Sequence, residues 1–303
     1  MPITEVYTQS TLFANTADAA EQPGLPALKG QLLKWVGNKQ KFAGEICSYF
    51  PQQIGTYYEP FLGSGGVLAT LAPKHAVAGD AFKPLIEIWQ QLHDSPAGLV
   101  KWYTERYDLI EKLGKKIAYD LVLERYNARA NGADLLFLSR VCYGGVVRFR
   151  KSDGHMSTPC GPHKPMPPEN FADRAHIWAA RTRGTRFIHA DFAETMALAQ
   201  AGDLVYLDPP YVDSQAILYG AQSFSYARLL ESIAACKRRG VAVALSIDGT
   251  KKSGAHTVDL PTIEGLFERE VMVHLGSSML KRYQLKGQTA EDHHVADRLL
   301  LTY

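Results

Sequence analysis

Cysteine is scarce. The 303 residues hold four, Cys47, Cys142, Cys160 and Cys236, spaced 95, 18 and 76 positions apart. No CxxC pair occurs and the ten histidines form no HExxH, so the usual zinc ligand spacings are missing and no metal is expected. The adjacent His293 and His294 sit in a polar run and read as a solvated loop. Four dispersed cysteines are the pattern of reduced thiols in a cytoplasmic protein. Long apolar runs are missing too: nothing approaches the roughly 18 uninterrupted residues of a membrane span. The N-terminus has no basic start leading into an apolar run, so no secretory signal is expected. No internal repeat is present. Net charge is nearly absent, with 33 Lys+Arg against 31 Asp+Glu, or +2. What remains is 46% hydrophobic and 21% charged, an ordinary globular composition. At this length it predicts one large domain or one domain carrying an insertion.

Residues 1–28 mix Thr, Ala, Gln, Asn and Pro without periodicity and read as a flexible arm. A helix is expected to end near Ile46. Thr56–Glu59 is a β-prone run that stops at Pro60 and enters the turn Phe61-Leu62-Gly63-Ser64-Gly65-Gly66, after which Val67–Leu71 resumes as helix. His75–Asp80 reads as a second strand, followed by Phe82, Leu85, Ile86, Trp89 and Leu92 at helical spacing. Helical patterns continue to about Leu138, with Leu109, Leu113, Ile117, Leu121 and Val122 as expected core positions. Between Val141 and Asn170 periodicity vanishes among glycines and five prolines, a stretch too long for an ordinary connection and better explained as a functional insertion. Strands then return at Arg186–Asp191, Asp203–Asp208 and the unbroken apolar run Val241–Ile247. Ser225 is placed to cap a helix carrying Leu229, Leu230 and Ile233, which Gly240 would close. Val271–Leu275 and Leu299–Tyr303 would supply late strands, open to antiparallel pairing. The pattern is α/β and doubly wound, with an insertion near 95–185.

In open α/β sheets ligands sit outside the carboxyl ends of the strands. Four predicted strands finish in Glu59, Asp80, Asp191 and Asp208, a crevice lined with acceptors for hydroxyl and amino groups. The glycine turn permits close backbone approach, and Asp80 follows Glu59 by 21 residues, suitable for ribose hydroxyls. It lacks the GxGxxG spacing that aims a helix N-terminus at pyrophosphate, which disfavours a nicotinamide oxidoreductase. A nucleoside cofactor without phosphates, S-adenosyl-L-methionine, fits better; a turn serving packing alone is the competing reading. Asp208-Pro209-Pro210-Tyr211 is the most informative tetrapeptide. Two prolines remove two amide donors, leaving the Asp208 carboxylate and the Pro209 carbonyl as acceptors for an exocyclic amino group. Tyr211 adds a flat face for an extruded base.

Taken together, Lys34–Lys39, Glu59–Gly65, Ala78–Asp80 and Asp208–Tyr211 resemble, in order, the motifs of the Dam-type, class D12 family of DNA adenine-N6 methyltransferases. The resemblance covers about residues 30–303 and extends to the closing run Val295–Tyr303. It implies a Rossmann-like S-adenosylmethionine-dependent methyltransferase sheet with an inserted helical and hairpin target-recognition domain. The implied division is an arm at 1–28, a catalytic domain at 29–94 and 186–303, and a DNA-binding insertion at 95–185. The resemblance gives Trp35, Gly37 and Lys39 to the methionine end of the cofactor. Glu59, Phe61, Gly63 and Gly65 would form its cradle, Asp80 would bind the ribose, and Asp191 and Phe192 the adenine. Asp208, Pro209, Pro210 and Tyr211 would receive the target base. Leu138–Arg150 resembles the target-recognition hairpin, which would bring Arg140, Tyr143, Arg148, Arg150 and Lys151 to DNA. Ser139 and Gly144 stand where the best-known Dam enzymes have asparagines, so the recognition site need not be GATC.

The implied partner is double-stranded DNA, with a cognate restriction endonuclease sharing the site rather than forming a stable subunit. The implied location is the cytoplasm of a bacterium or archaeon, or of a phage host, at the nucleoid. Cytosine-N4 methylation, RNA adenine methylation and a catalytically silent DNA- or cofactor-binding module are the alternatives. The near-zero charge conceals a segregation: Leu138–Arg186 holds nine Lys/Arg against three acids, leaving the rest mildly acidic. An excess there is what phosphate contacts require.

Overall fold

The short apolar runs become seven strands: β1 (Tyr57–Glu59), β2 (Ala76–Asp80), β3 (Thr185–His189), β4 (Leu204–Leu207), β5 (Ala242–Asp248), β6 (Arg269–His274) and β7 (Ala296–Leu301). In the computed structural model, which describes residues 25–210, 224–248, 264–274 and 296–303, they form one sheet in the order β3-β2-β1-β4-β5-β7-β6. The first five are parallel, and β7 runs antiparallel between β5 and β6. The doubly wound sheet and the antiparallel late strands expected from sequence are both present. Chain direction across the sheet reverses between β1 and β4, which opens the ligand crevice of such folds at their carboxyl ends.

Burial alternates with the two-residue period of a strand. Tyr57, Ala76, Ala78, Phe187, Tyr206 and Ala244 enter one apolar cluster. Tyr58, Val77, Val205, Leu207, Val243 and Leu245 enter a second on the opposite face. Helices α8 (Phe192–Ala197) and α9 (Tyr226–Arg238) cover the second face. Ser225 caps α9 by accepting the Arg228 N–H, and Gly240 follows the helix at φ +76°. On the first face lie α1 (Ala43–Ser48), α2 (Gly66–Leu71) and α3 (Lys83–Asp94). Leu85, Ile86, Trp89 and Leu92 of α3 are buried as their spacing predicts. Phe82 precedes that helix as its N-cap instead of joining its apolar face.

The crossover from β2 to β3 continues through α4 (Pro96–Leu113), α5 (Lys115–Ala128), α6 (Gly132–Val141) and α7 (Pro168–Arg181). Their buried Tyr103, Leu135, Phe137, Phe171 and Trp178 share the apolar cluster of the first sheet face, and the Trp178 ring lies 5.6 Å from that of Trp89. Three expected core positions are corrected here. Leu113, Ile117 and Leu121 are 42, 62 and 38% exposed, whereas Val122 is buried. Gly114, at φ +80°, separates α4 from α5, so a four-residue spacing carried across it changes face. Each helix buries its own set: Leu99, Tyr103 and Tyr107 in α4, Tyr119, Val122 and Tyr126 in α5. Helix α7 was hidden in the sequence by the preceding prolines, although Phe171, Ala175 and Trp178 stand at helical spacing.

Candidate active site

One cavity of about 580 Å³ lies over the carboxyl ends of the central strands. It gathers Trp35, Gly37, Lys39, Glu59, Phe61, Gly63, Asp80, Asp191, Phe192, Asp208, Pro209 and Pro210, residues from five separated stretches of sequence. Tyr211 lies outside the described residues, as do His293 and His294.

Glu59 ends β1 and is buried. It accepts the Tyr57 hydroxyl at 2.7 Å. Burial pushes its carboxyl up to about 8, against the hydrogen bond from Tyr57, and the charge of nearby Asp208 pushes the same way. A carboxylate removed from water is disfavoured in its charged form, so Glu59 is largely protonated at neutral pH. Asp208 follows the last residue of β4. Its Oδ1 lies 3.3 Å from Nζ of Lys39, whose side chain is only 8% exposed. The lysine that the family resemblance gave to the cofactor is thus also the ionic partner of the tetrapeptide's carboxylate.

The glycine turn is shaped by its backbone. Gly63 and Gly65 hold φ of +48° and +62°, a region costly for side chains with a Cβ. A Cβ on Gly63 would meet the Trp35 indole at 3.4 Å, inside the cavity wall. Gly65 differs from the expectation: it does not line the cavity, and a Cβ there would strike Trp89 at 2.9 Å. Its small size serves the packing of the turn on α3. Asp80 takes one backbone N–H on each oxygen, from Gly63 at 3.1 Å and Phe82 at 2.9 Å. Burial raises its carboxyl to about 6, with both amides opposing. Farther along, Phe61 stacks on Phe192 at 5.2 Å and meets Phe224 edge-on at 5.9 Å. Asp191 is committed locally: it caps α8 through the Ala193 N–H at 2.9 Å and pairs with Arg228. This leaves it little free acceptor capacity for a cofactor base.

Across the cavity, the insertion supplies a wall of its own. The aperiodic stretch is a hairpin, with bridges Cys142↔Cys160 and Phe149↔Met156. Asn127 of α5 docks it by exchanging two hydrogen bonds with the Met156 backbone, at 2.8 and 3.0 Å. Phe149, Arg150, Gly154 and His155 of the hairpin line the cavity, and the Phe149 ring meets Phe82 at 5.5 Å. Tyr143, Arg148 and Lys151 are exposed; Arg150 is exposed but paired with Asp153.

Arg140 requires correction as a DNA ligand. It is 7% exposed, donates from Nη1 to the Leu32 carbonyl at 2.6 Å and lies 5.4 Å from the Phe171 ring centre. Arg174 and Arg181 likewise donate to backbone carbonyls, at Gln31 (2.8 Å) and at Pro26 and Ala69. Three of the nine basic residues in 138–186 therefore anchor the segment 26–32, Arg140 and Arg181 from buried positions and Arg174 from a half-buried one. A count of charges cannot separate the two uses, because an arginine stem packs readily in a core while its fork satisfies carbonyls. Sequence reasoning also gave no site role to Phe82, Asn127 and Phe224, and did not bring Phe149 and His155 of the hairpin to the cavity they line. Phe82 carried a signal, its position two residues beyond Asp80; Phe149 lay within the Leu138–Arg150 stretch whose resemblance to the target-recognition hairpin pointed to DNA and not to the cavity wall.

Among the described residues no group of three or more His, Cys, Asp or Glu is arranged to hold a metal, and no helix is long and apolar enough to cross a membrane.

Residues 35–275 match the family model described as D12 class N6 adenine-specific DNA methyltransferase. The type II methyltransferase M1.LlaDCHI of Lactococcus lactis subsp. cremoris is 27% identical over 231 residues, covering 70% of this chain and 79% of the relative. The retron Ec67 DNA adenine methylase of Escherichia coli is 33% identical over 188 residues, covering 59% of this chain and 63% of the relative. The DNA adenine methylase of Serratia marcescens is 28% identical over 204 residues, covering 64% and 73%.

Proposed function

The chain belongs to the D12 class of N6 adenine-specific DNA methyltransferases, and on that premise we propose that it moves a methyl group from S-adenosyl-L-methionine to the exocyclic N6 of an adenine flipped out of duplex DNA. The observation that carries this reading is the meeting, over β1 and β4, of Asp208-Pro209-Pro210 with the glycine turn and Asp80 in one cavity. An amino-group receptor and a nucleoside receptor share that space.

The cavity suits the cofactor. Each Asp80 oxygen takes one backbone N–H and keeps a lone pair for a ribose hydroxyl. Phe61, Phe192 and Phe224 offer an apolar wall for a purine. With Asp191 engaged in its cap, the Phe192 N–H at the start of α8 is the group left to read the ring edge. Trp35, Gly37 and Ser64 line the same cavity as Lys39, and the methionine portion would lie among them. When bound, S-adenosylmethionine supplies an electrophilic sulfonium methyl.

The remaining work falls to this chain. Adenine's amino nitrogen is a poor nucleophile because its lone pair is delocalised into the ring. Asp208 and the Pro209 carbonyl each accept one N–H, drawing the nitrogen toward tetrahedral geometry and aiming the lone pair along the line of attack. Lys39 partners the Asp208 carboxylate in its ionised, accept-only form. Tyr211 stacks on the extruded base, offsetting part of the few kcal/mol of unstacking. Tyr143, Arg148 and Lys151 of the hairpin contact DNA. The division into a catalytic part at 29–94 and 186–303 and a recognition part at 95–185 follows this allocation of tasks. The enzyme acts in the cytoplasm, and any companion restriction endonuclease meets it only at the shared DNA site.

Digestion of treated duplex DNA to nucleosides tests the reading. Accumulation of N6-methyldeoxyadenosine at one sequence context is the expected result. N4-methyldeoxycytidine, or methylation confined to RNA, would overturn it.

A further inference from the structure

Cys142 and Cys160 face each other at the neck of the hairpin, and neither has a part in the reaction above. The Tyr143 N–H donates to the Pro159 carbonyl and the Gly161 N–H to the Val141 carbonyl, both at 2.8 Å. These bonds lie on either side of the Cys142↔Cys160 bridge, one residue out on each leg. The two cysteines are therefore a non-hydrogen-bonded antiparallel pair, the class in which opposed Cα atoms approach to about 4.5 Å and side chains lie closest. Opposed residues of an antiparallel pair project to the same face. Disulfides span Cα separations of about 4.4–6.8 Å, so the backbone already meets the requirement. Both are reduced: the buried Cys142 thiol donates to the Ser139 carbonyl and the half-buried Cys160 thiol to the Gly161 carbonyl, each at 3.6 Å, weak contacts that closure of the bond would replace.

We propose that Cys142 and Cys160 are a modification site, a dithiol that a low-molecular-weight disulfide converts to a disulfide closing the neck of the hairpin. The more accessible Cys160 thiolate attacks one sulfur of the small disulfide, forming a mixed disulfide and releasing one small thiol. The Cys142 thiolate then attacks the Cys160 sulfur, releasing the second. Two protein thiols are oxidised, one small disulfide is reduced to two thiols, and no other oxidant is needed. Lys115 and Lys116 face Cys160 and oppose the upward push of burial on its thiol, while Asp120 adds to it. Cys142 faces Lys34 and is held higher, at about 12, by burial. Entry through Cys160 and closure by Cys142 is the order these surroundings favour. The bond links the residues flanking Tyr143 and Pro159, so it clamps the base of the loop that carries Arg148 and Lys151.

The test uses the whole protein in its folded state, treated with glutathione disulfide at pH 8 and then alkylated without reductant. A loss of two hydrogens, about 2 Da, with one linked peptide pair joining Cys142 to Cys160, is the expected product. Cys142→Ser is expected to stop at a glutathione adduct on Cys160, and Cys160→Ser to leave Cys142 reduced. The amides of Tyr143 and Gly161 should exchange about tenfold more slowly after oxidation. A stable glutathione adduct on wild-type Cys160, or four alkylated cysteines after treatment, would overturn the proposal. So would linkage through Cys47 or Cys236.

Discussion

At the carboxyl ends of β1 and β4, Lys39, Glu59 and Asp208 lie together in a cavity, with Lys39 and Glu59 buried. Across that cavity, Arg148 and Lys151 of the hairpin stand in solvent. The first group is small, and its members fix one another's state: an ion pair beside a carboxyl that burial keeps protonated. The second is screened by water and ions, so each member acts almost alone. Between them lies a third population, Arg140, Arg174 and Arg181, whose charges face neither DNA nor catalyst but backbone carbonyls. The same residue type thus has a large effect where water is excluded and a small one where it is not.

This contrast can be broken at several points. Asp208→Ala should lower methyl transfer by about a thousandfold or more while cofactor affinity, measured by calorimetry, changes little. Near-normal turnover in that variant would remove the crevice from the mechanism. Arg140→Ala should cost about 2–4 kcal/mol in urea unfolding, because buried carbonyls lose a charged donor and a cavity opens. Its salt dependence of DNA binding should not move; a shallower slope at unchanged stability would return Arg140 to the DNA surface.

A third test concerns pH. Glu59 and Asp80 have folded pKa values raised to about 8 and about 6, above ordinary values of 4.5 and 3.8. The folded state then binds more protons than the unfolded one over that window, and stability falls as pH rises from about 4 to about 8. Glu59→Gln should flatten the upper part of that slope, read as urea midpoints at pH 6 and pH 8. A wild-type midpoint that rises with pH between them would contradict the assignment. The smallest effects belong to the hairpin. Arg148→Ala and Lys151→Ala should each weaken DNA binding a few-fold and lower the salt slope by about 0.9. Wild-type slopes in both would move DNA contact elsewhere.

Much of the architecture was legible because it rests on local rules. Runs such as Val241–Ile247 and the capped helix after Ser225 depend on neighbours within a few residues, and each appears where its pattern put it. The crevice was legible for a related reason. Strand-end residues Glu59 and Asp80, and Asp208 just past β4, converge because parallel strands align their ends. Legibility ended at Gly114, where one positive φ reset the helical phase and turned Ile117 and Leu121 to solvent, while Leu113 closes α4 off the face that buries Leu99, Tyr103 and Tyr107.

The sequence by itself determined the order of strands and helices, the glycine turn, the acids at the strand ends and the tetrapeptide after β4, all consequences of short-range sterics and periodicity. Only the tertiary structure decided which charges keep their water. Burial of Arg140 against Leu32, 108 positions away, and of Lys39 against Asp208 depends on segments distant in sequence meeting in space. The approach of Phe149 to Phe82 depends on the same thing. Desolvation is a property of that meeting, and no local pattern carries it.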